Sequence, residues 1–226
     1  MNEETLIEVS NLTKSYSAGG RILKAVDNAS FSIKRSRMVS VIGHSGSGKT
    51  TLLSLIGGLT KPDSGLIMID GVSIWSMSDN AMSEFRNKKI SFIYQFSSLI
   101  PTLTSLENII LPTAFGDYGD KTSEYAMELL DTVGLKDKAD IYPSQLSGGQ
   151  QRRVAIARAF INNPDIVLAD EPTGDLDEET EAEIVNFFKL MNREKGVTFV
   201  IATHNNDLAQ QTGRQLKMRG GLIQEL

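Results

Sequence analysis

Cysteine is absent from the chain, which excludes disulfides and thiolate metal sites and permits a reducing compartment. No run approaches the ~18 consecutive apolar residues of a membrane-spanning helix. The first residues, Met1-Asn2-Glu3-Glu4-Thr5, are acidic and lead into no long apolar segment, so no signal peptide is expected. If the protein works at a membrane, another chain is expected to hold it there. An excess of basic charge is also missing: the net charge is −5 and the pI about 5.2. That balance argues against general affinity for nucleic acid or anionic lipid, both of which need a basic surface to release counterions. There is no internal repeat, low-complexity tract or disordered tail. What remains is an ordinary globular composition, 40% hydrophobic and 23% charged, over 226 residues, enough for one large domain or a domain with an inserted unit.

The strongest local signal is Gly43, His44, Ser45, Gly46, Ser47, Gly48, Lys49 and Thr50, followed by Thr51. An apolar run, residues 38–42, precedes it, and Leu52, Leu53, Leu55 and Ile56 follow. The pattern reads as strand, glycine-rich turn and helix with G-x-x-x-x-G-K-[ST] in the turn, so backbone N–H groups and the positive helix end face one point. A polyanion belongs there. The glycines let the backbone curl around phosphates, Lys49 supplies a point charge to the outer ones, and Thr50 offers a hydroxyl to Mg²⁺.

Around this motif the chain alternates between strand and helix signals. Residues 6–16 and 26–33 alternate as antiparallel strands, with a turn at residues 17–20. Tyr16 stands at the polar tip of the first strand, as a platform for a purine or as an aromatic lying on its neighbours. Residues 66–69 form a strand before the tight turn Asp70-Gly71. Ser78 or Asp79 caps a short helix through Arg86, and residues 90–94 are a buried strand ending at Gln95. Trp75 and most methionines read as packing.

After Gln95 helices take over. Thr104 and Glu107 make a capping box for a helix through Leu111, and Thr122 opens another through Val133, closed by Gly134. Ser147 and Gln150 outline a second capping box before a helix over residues 151–162. Two glycines in a first turn weaken a helix by about 1 kcal/mol each relative to alanine. Gly148 and Gly149 make sense if something approaches that backbone closely, as at a second anion-seeking helix start.

The apolar strand at residues 165–169 ends in Asp170-Glu171-Pro172. In an open α/β sheet ligands bind at the carboxyl ends of the strands, which puts both acids beside the phosphate loop. One of the two can face a Mg²⁺ shell while its neighbour faces an attacking water. Asp177 caps a helix to Lys195, with Gly196 stopping it, and residues 197–202 form the next buried strand, ending at Thr203-His204. His204 therefore lies on the same edge as the acids. A polar helix over residues 206–212 and a hairpin turning at Gly220-Gly221 close the chain.

Together these elements, with Leu146-Ser147-Gly148-Gly149-Gln150 close to diagnostic, resemble the nucleotide-binding subunit of ATP-binding cassette (ABC) transporters along nearly the whole chain. The resemblance implies an α/β P-loop NTPase core, a mainly parallel sheet flanked by helices, with an antiparallel β subdomain, over residues 1–95 and 164–226. It also implies a helical signature subdomain over about residues 96–163. By position it makes Tyr16 the adenine platform and gives the ATP phosphates to Gly43 through Thr51. Thr50, Gln95 and Asp170 become the Mg²⁺ shell, Glu171 the general base and His204 a γ-phosphate sensor. Ser147, Gly148, Gly149 and Gln150 would meet the ATP held by a second copy, in an ATP-dependent homodimer; two anion-binding helix starts and one phosphate tail per nucleotide suit such a two-fold arrangement.

Finer features, Phe92-Ile93-Tyr94-Gln95, Leu99-Ile100-Pro101-Thr102-Leu103-Thr104 and Tyr142-Pro143-Ser144-Gln145, look like the branch that includes lipoprotein-release, macrolide-export and cell-division ATPases. That branch implies a membrane permease docked between Gln95 and Leu103, a cytoplasmic place on the inner membrane face, and no nucleic-acid partner. The implied work is export or handling of lipoprotein, peptide or macrolide cargo. The same motor suits transmission of a signal to an extracytoplasmic enzyme; a soluble ABC ATPase of repair or translation is disfavoured by the acidic balance and the single cassette. The sequence departs from the pattern at His44 (usually proline), one position after Phe96 (where an aromatic is usual and Ser97 and Ser98 occupy the stretch expected to contact the permease), at Asp175 (asparagine) and at Asn205 (aspartate). None removes a catalytic group.

Overall fold

Long alternating strands with paired glycines between them make the first element of the chain. The computed structural model describes residues 4–116, 119, 122–174 and 176–226, so Asp175 and the first three residues lie outside the described residues. β1 (Thr5–Ala18) and β2 (Arg21–Lys34) form an antiparallel hairpin turning on Gly19-Gly20. The second strand starts five residues earlier than alternation indicates, and the turn is two residues, not four. The extension 21–24 is exposed throughout, so no period-2 burial marks it; its register is held by the ladder, Tyr16 facing Leu23 and Ser17 facing Ile22.

There follow β3 (Met38–Ile42), α1 (Lys49–Ile56), β4 (Ser64–Ile69), β5 (Val72–Ser73), α2 (Asp79–Lys89), capped by Ser78, and β6 (Ile90–Ile93). α3 (Ser105–Ile110) carries the expected capping box, Glu107 N–H donating to Thr104 Oγ1 (3.2 Å) and Thr104 N–H to Glu107 Oε2 (2.8 Å). Then come α4 (Thr122–Thr132), α5 (Gly148–Arg158), β7 (Ile166–Asp170), α6 (Glu178–Lys195), β8 (Thr198–Thr203), α7 (Asn206–Gln210), β9 (Arg214–Arg219) and β10 (Leu222–Glu225).

Two sheets result. One is antiparallel, in the order β2-β1-β4-β5; the other runs β10-β9-β3-β8-β7-β6, with β9, β3, β8, β7 and β6 parallel and β10 antiparallel at the edge. Period-2 alternation divides the buried residues of the parallel strands between two cores. Val39, Val41, Ile166, Leu168, Val200 and Ala202 pack toward α1 and the antiparallel sheet. Val167, Ala169, Phe199 and Ile201 pack on the other side with residues of α4, α5 and α6. Because β3, β6, β7 and β8 are parallel, their carboxyl ends meet along one edge, and every strand-end motif of the sequence collects there.

Several element limits differ from expectation: α2 runs to Lys89, past Arg86, β4 starts at Ser64 and α7 stops at Gln210. α5 begins at Gly148 and stops at Arg158, short of Asn162; beyond it the chain tightens into i→i+3 turns, Phe160 N–H donating to the Ala157 carbonyl (3.0 Å) and Asn163 N–H to the Phe160 carbonyl (2.9 Å), and Asn163, before Pro164, takes φ +49°. β6 ends at Ile93 and is an edge strand, so Tyr94 is half-exposed, not buried, and its ring stacks on Phe92 at 5.6 Å. Trp75 packs against the core beneath the antiparallel sheet, as its packing role requires.

Candidate functional site

The glycine-rich loop leaves β3 and turns directly into α1. Its glycines are demanded first by the chain itself: a Cβ on Gly43 would lie 2.4 Å from the Met218 carbonyl oxygen, and one on Gly48, at φ +108°, 2.0 Å from that of Ala25. β2 and β9 thus press the loop from behind. Ser47 N–H donates to the His44 carbonyl (3.1 Å), and Lys49 Nζ, buried, donates to the carbonyls of Gly43 (2.7 Å) and His44 (3.3 Å). α1 starts at Lys49, and Gly48 at the cap position offers no side-chain cap, so the first N–H groups of the helix have no partner within it. An uncapped helix start around a buried ammonium fits a polyphosphate.

Asp170 ends β7 on the face that carries Ile166 and Leu168, the face toward α1, and there Thr50 Oγ1 donates to Asp170 Oδ2 at 2.7 Å. Burial pushes the Asp170 carboxyl up; the Thr50 hydroxyl draws it back, neighbouring Glu171 raises it further, and Lys49 opposes the rise. Three-membered clusters of His, Asp or Glu are absent among the described residues. One carboxylate and a hydroxyl beside a phosphate loop suit Mg²⁺, which binds through one or two carboxylates plus substrate phosphates and not in an all-protein cage.

Glu171 breaks the strand. It takes φ +47°, a left-handed conformation costing a non-glycine residue roughly 1–3 kcal/mol, and its N–H donates to the Ala202 carbonyl at 2.9 Å. The turn carries its carboxylate away from Thr50 toward β8. Thr203 Oγ1 (3.0 Å) and His204 N–H (3.3 Å) donate to Oε2, while His204 Nδ1 lies 2.9 Å from Oε1 and Lys49 Nζ 3.7 Å from it. The two adjacent acids therefore face different elements, and the histidine at the end of β8 meets the second.

A cavity of about 560 Å³ is lined by Tyr16, His44, Ser45, Gly46, Ser47, Gly48, Lys49, Thr50, Thr51, Gln95, Asp170, Glu171 and His204, with Leu23 and Ala25 beside Tyr16. Tyr16 is 43% exposed at the rim, with Lys14 Nζ 5.6 Å from its ring centroid. Gly43 stands behind the wall and contributes its carbonyl to Lys49. Ser147, Gly148, Gly149 and Gln150 do not line this cavity. They form the start of α5, where Gln150 N–H donates to Ser147 Oγ (3.2 Å) and Ser147 N–H to Gln150 Oε1 (3.0 Å). A Cβ on Gly148 would meet nothing within 4 Å and one on Gly149 only Thr180 at 3.7 Å, so packing within the described chain does not require either glycine. Asn205, in place of an aspartate, caps α7 by accepting from Asp207 N–H (2.8 Å) and Leu208 N–H (3.3 Å), and donates to Glu181 (2.9 Å).

Thr203 and Arg152 were not among the expected site residues. Thr203 was legible as the last residue of a core strand beside His204. Arg152 was legible as a charge on the stripe that also holds Ala155, Ile156 and Ala159, all buried.

The family model described as ABC transporter matches residues 26–174. Among solved structures, the chain is similar to the ATP-binding cassette MJ0796 in a dimeric post-hydrolysis state bound to ADP and Pi: 40% identity over 98% of this chain and 99% of that one, TM-score 0.90. A second dimeric structure of MJ0796, described as a bacterial ABC transporter cassette, gives 41% identity, the same coverage and TM-score 0.90. CbiO1 of Clostridium perfringens, part of the transporter complex cbiONQ, is 27% identical over 98% of this chain and 88% of that one, TM-score 0.86. A family match that takes in the phosphate loop, the start of α5 and the acidic strand end, with solved cassettes overlying almost the entire length, has one meaning: the chain belongs to the ABC transporter family and is an ATP-binding, ATP-hydrolysing cassette of it.

Proposed function

We propose that the chain works as a homodimer closed by Mg-ATP, each copy covering the nucleotide held by the other, and that closing and opening drive a separate membrane permease. Within one copy, Tyr16 stacks on adenine, and the loop from Gly43 to Thr51 with Lys49 holds the phosphates. Thr50, Gln95 and Asp170 would hold Mg²⁺, which would supply positive charge to neutralise the phosphates. Glu171 takes the proton of the attacking water as general base, and His204 donates to the γ-phosphate. Ser147, Gly148, Gly149 and Gln150 bind the partner's ATP across the two-fold axis.

The observation that carries this reading is the divergence of the two acids, Asp170 bonded to Thr50 and Glu171 framed by Thr203 and His204 beside Lys49. The second supporting feature is the glycine pair at the start of α5, which the described chain leaves open to approach. Replacing Glu171 by Gln keeps its hydrogen-bonding shape and removes the base. ATP binding should survive while turnover falls by about 10² to 10⁴; turnover within a few-fold of wild type defeats the assignment.

For the permease we take the surface between Gln95 and Leu103. Phe96 and Ile100 are exposed there and Tyr94 immediately before it, an apolar set suited to a partner. Among the described residues no helix is long and apolar enough to cross a membrane, so the cassette would sit on the cytoplasmic face through that partner. We take residues 1–95 and 164–226 as the core with its antiparallel sheet, and about 96–163 as the helical unit, α3, α4 and α5, that moves against it. The resemblance to the lipoprotein-release and macrolide-export branch favours export of such cargo through a permease with few membrane helices and a large external domain.

A further inference from the structure

Arg152 sits on the second turn of α5 and is only 3% exposed. A buried guanidinium needs acceptors for its fixed fork of donors, and this one finds them on two strand ends. Nε donates to the Pro172 carbonyl (2.8 Å), Nη2 to the Glu171 carbonyl (2.7 Å) and Nη1 to the Tyr94 carbonyl. Glu171 and Pro172 follow β7; Tyr94 follows β6 and immediately precedes Gln95.

The Glu171 backbone is thereby held from both sides. Its N–H is fixed by Ala202, and its carbonyl accepts from Arg152 and from Gly174 N–H (3.2 Å). A left-handed non-glycine residue persists only where its surroundings over-determine it, and this turn sets the direction of the Glu171 carboxylate. The same helix also grips the segment after Gln95: Arg158 donates to the carbonyls of Ser97 (2.9 Å) and Ser98 (3.0 Å). None of these contacts touches the phosphate loop.

We propose that Arg152 is a positioning residue for hydrolysis: by bonding the backbones of Glu171, Pro172 and Tyr94 it keeps the Glu171 carboxylate and Gln95 aimed at the cavity. The start of α5, expected to meet the partner's nucleotide, lies only five residues away, about 7.5 Å along a helix. A shift of α5 against the core is therefore transmitted to the turn of Glu171. Arg152 acts through Glu171, so the inference rests on the general-base reading above.

The test is a cycle of four full-length forms: wild type, Arg152→Gln, Glu171→Gln and the double variant, each measured for ATP affinity, kcat, KM and single-turnover hydrolysis. Arg152→Gln should leave Kd and KM within about twofold while kcat falls by about 10- to 100-fold, the scale of a misaimed catalytic group. In the Glu171→Gln background the same change should alter the residual rate by less than about twofold, since residues that act as a unit are non-additive. Arg152→Lys keeps the charge without the fork and should stay slow with normal affinity. An equal loss of kcat in both backgrounds, a fall in affinity that accounts for the lost rate, or loss of the fold in both Arg152 variants would make the residue one of stability alone and overturn the proposal. The role of Glu171 is judged separately, from the Glu171→Gln form by itself.

Discussion

At the scale of single residues, the chemistry proposed for the site rests on two neighbouring carboxylates sent in different directions. Alternation along β7 turns Asp170 toward α1, and the left-handed turn at Glu171 sends the next acid toward β8. Asp170 carries a cost for that position, because burial and the nearby Glu171 hold its carboxyl above the ordinary range. In the free chain the folded state then binds more protons than the unfolded state between the ordinary carboxylate value and the raised one. Stability falls as pH rises through that window, and the loss is complete only above the raised value. Asp170→Asn, which can still accept from Thr50, should therefore raise the melting temperature at pH 7 without nucleotide or metal, and the gap should close below the ordinary carboxylate range. It should also weaken the Mg²⁺ dependence of ATP binding. A variant less stable than wild type at pH 7 contradicts the electrostatic account. Most of these residues were legible because each ends a strand, and a parallel sheet sends all such ends to one edge. Arg152 was legible only as a charge on a buried stripe; what it bonds was not, since no side-chain pattern announces backbone carbonyl acceptors.

At the scale of elements, local signals located starts better than ends. Ser78, Thr104, Ser147 and Asp177 each cap the helix expected of them, because a side-chain oxygen accepting from a backbone N–H two or three residues on is a short-range event. The extension of β2, the early stop of α5 and the exposure of Tyr94 depend on partners distant in sequence, so periodicity alone did not mark them. Asn108 shows how a loop is fixed from one helix. It is fully buried, accepts from Ile100 N–H (2.7 Å), and donates to the carbonyls of Ile100 (3.1 Å), Leu103 (3.0 Å) and Thr104 (2.9 Å). This bolts part of the proposed permease surface to α3. Asn108→Ala leaves those buried groups unpaired and should cost about 2–3 kcal/mol. Amide exchange at Ile100 should speed up well before that of β3 and β8; a uniform change across the chain would show that the loop is held by other means.

At the scale of the whole molecule, the two sheets meet around α1, and a charge network joins them at the end opposite the cavity. Arg35, after β2, pairs with Asp70 at the end of β4 (2.5 Å) and Lys89, before β6, with Asp165 before β7 (2.6 Å), and the two pairs are linked across the sheets by Arg35 to Asp165 (3.9 Å) and Lys89 to Asp70 (3.8 Å). The nucleotide edge is thus carried on a braced frame. What the single chain leaves incomplete is the anion-seeking start of α5, outside its own cavity and with glycines that its own packing does not need. In the proposed homodimer a second copy related by two-fold symmetry would complete it, and that arrangement is the central claim. The most direct measurement is size-exclusion chromatography with light scattering on Glu171→Gln with and without Mg-ATP. The account predicts a monomer that becomes a dimer only with nucleotide, and return to monomer when Ser147 and Gly149 are replaced by bulky residues; a mass unchanged by ATP, or a dimer indifferent to those replacements, would contradict it.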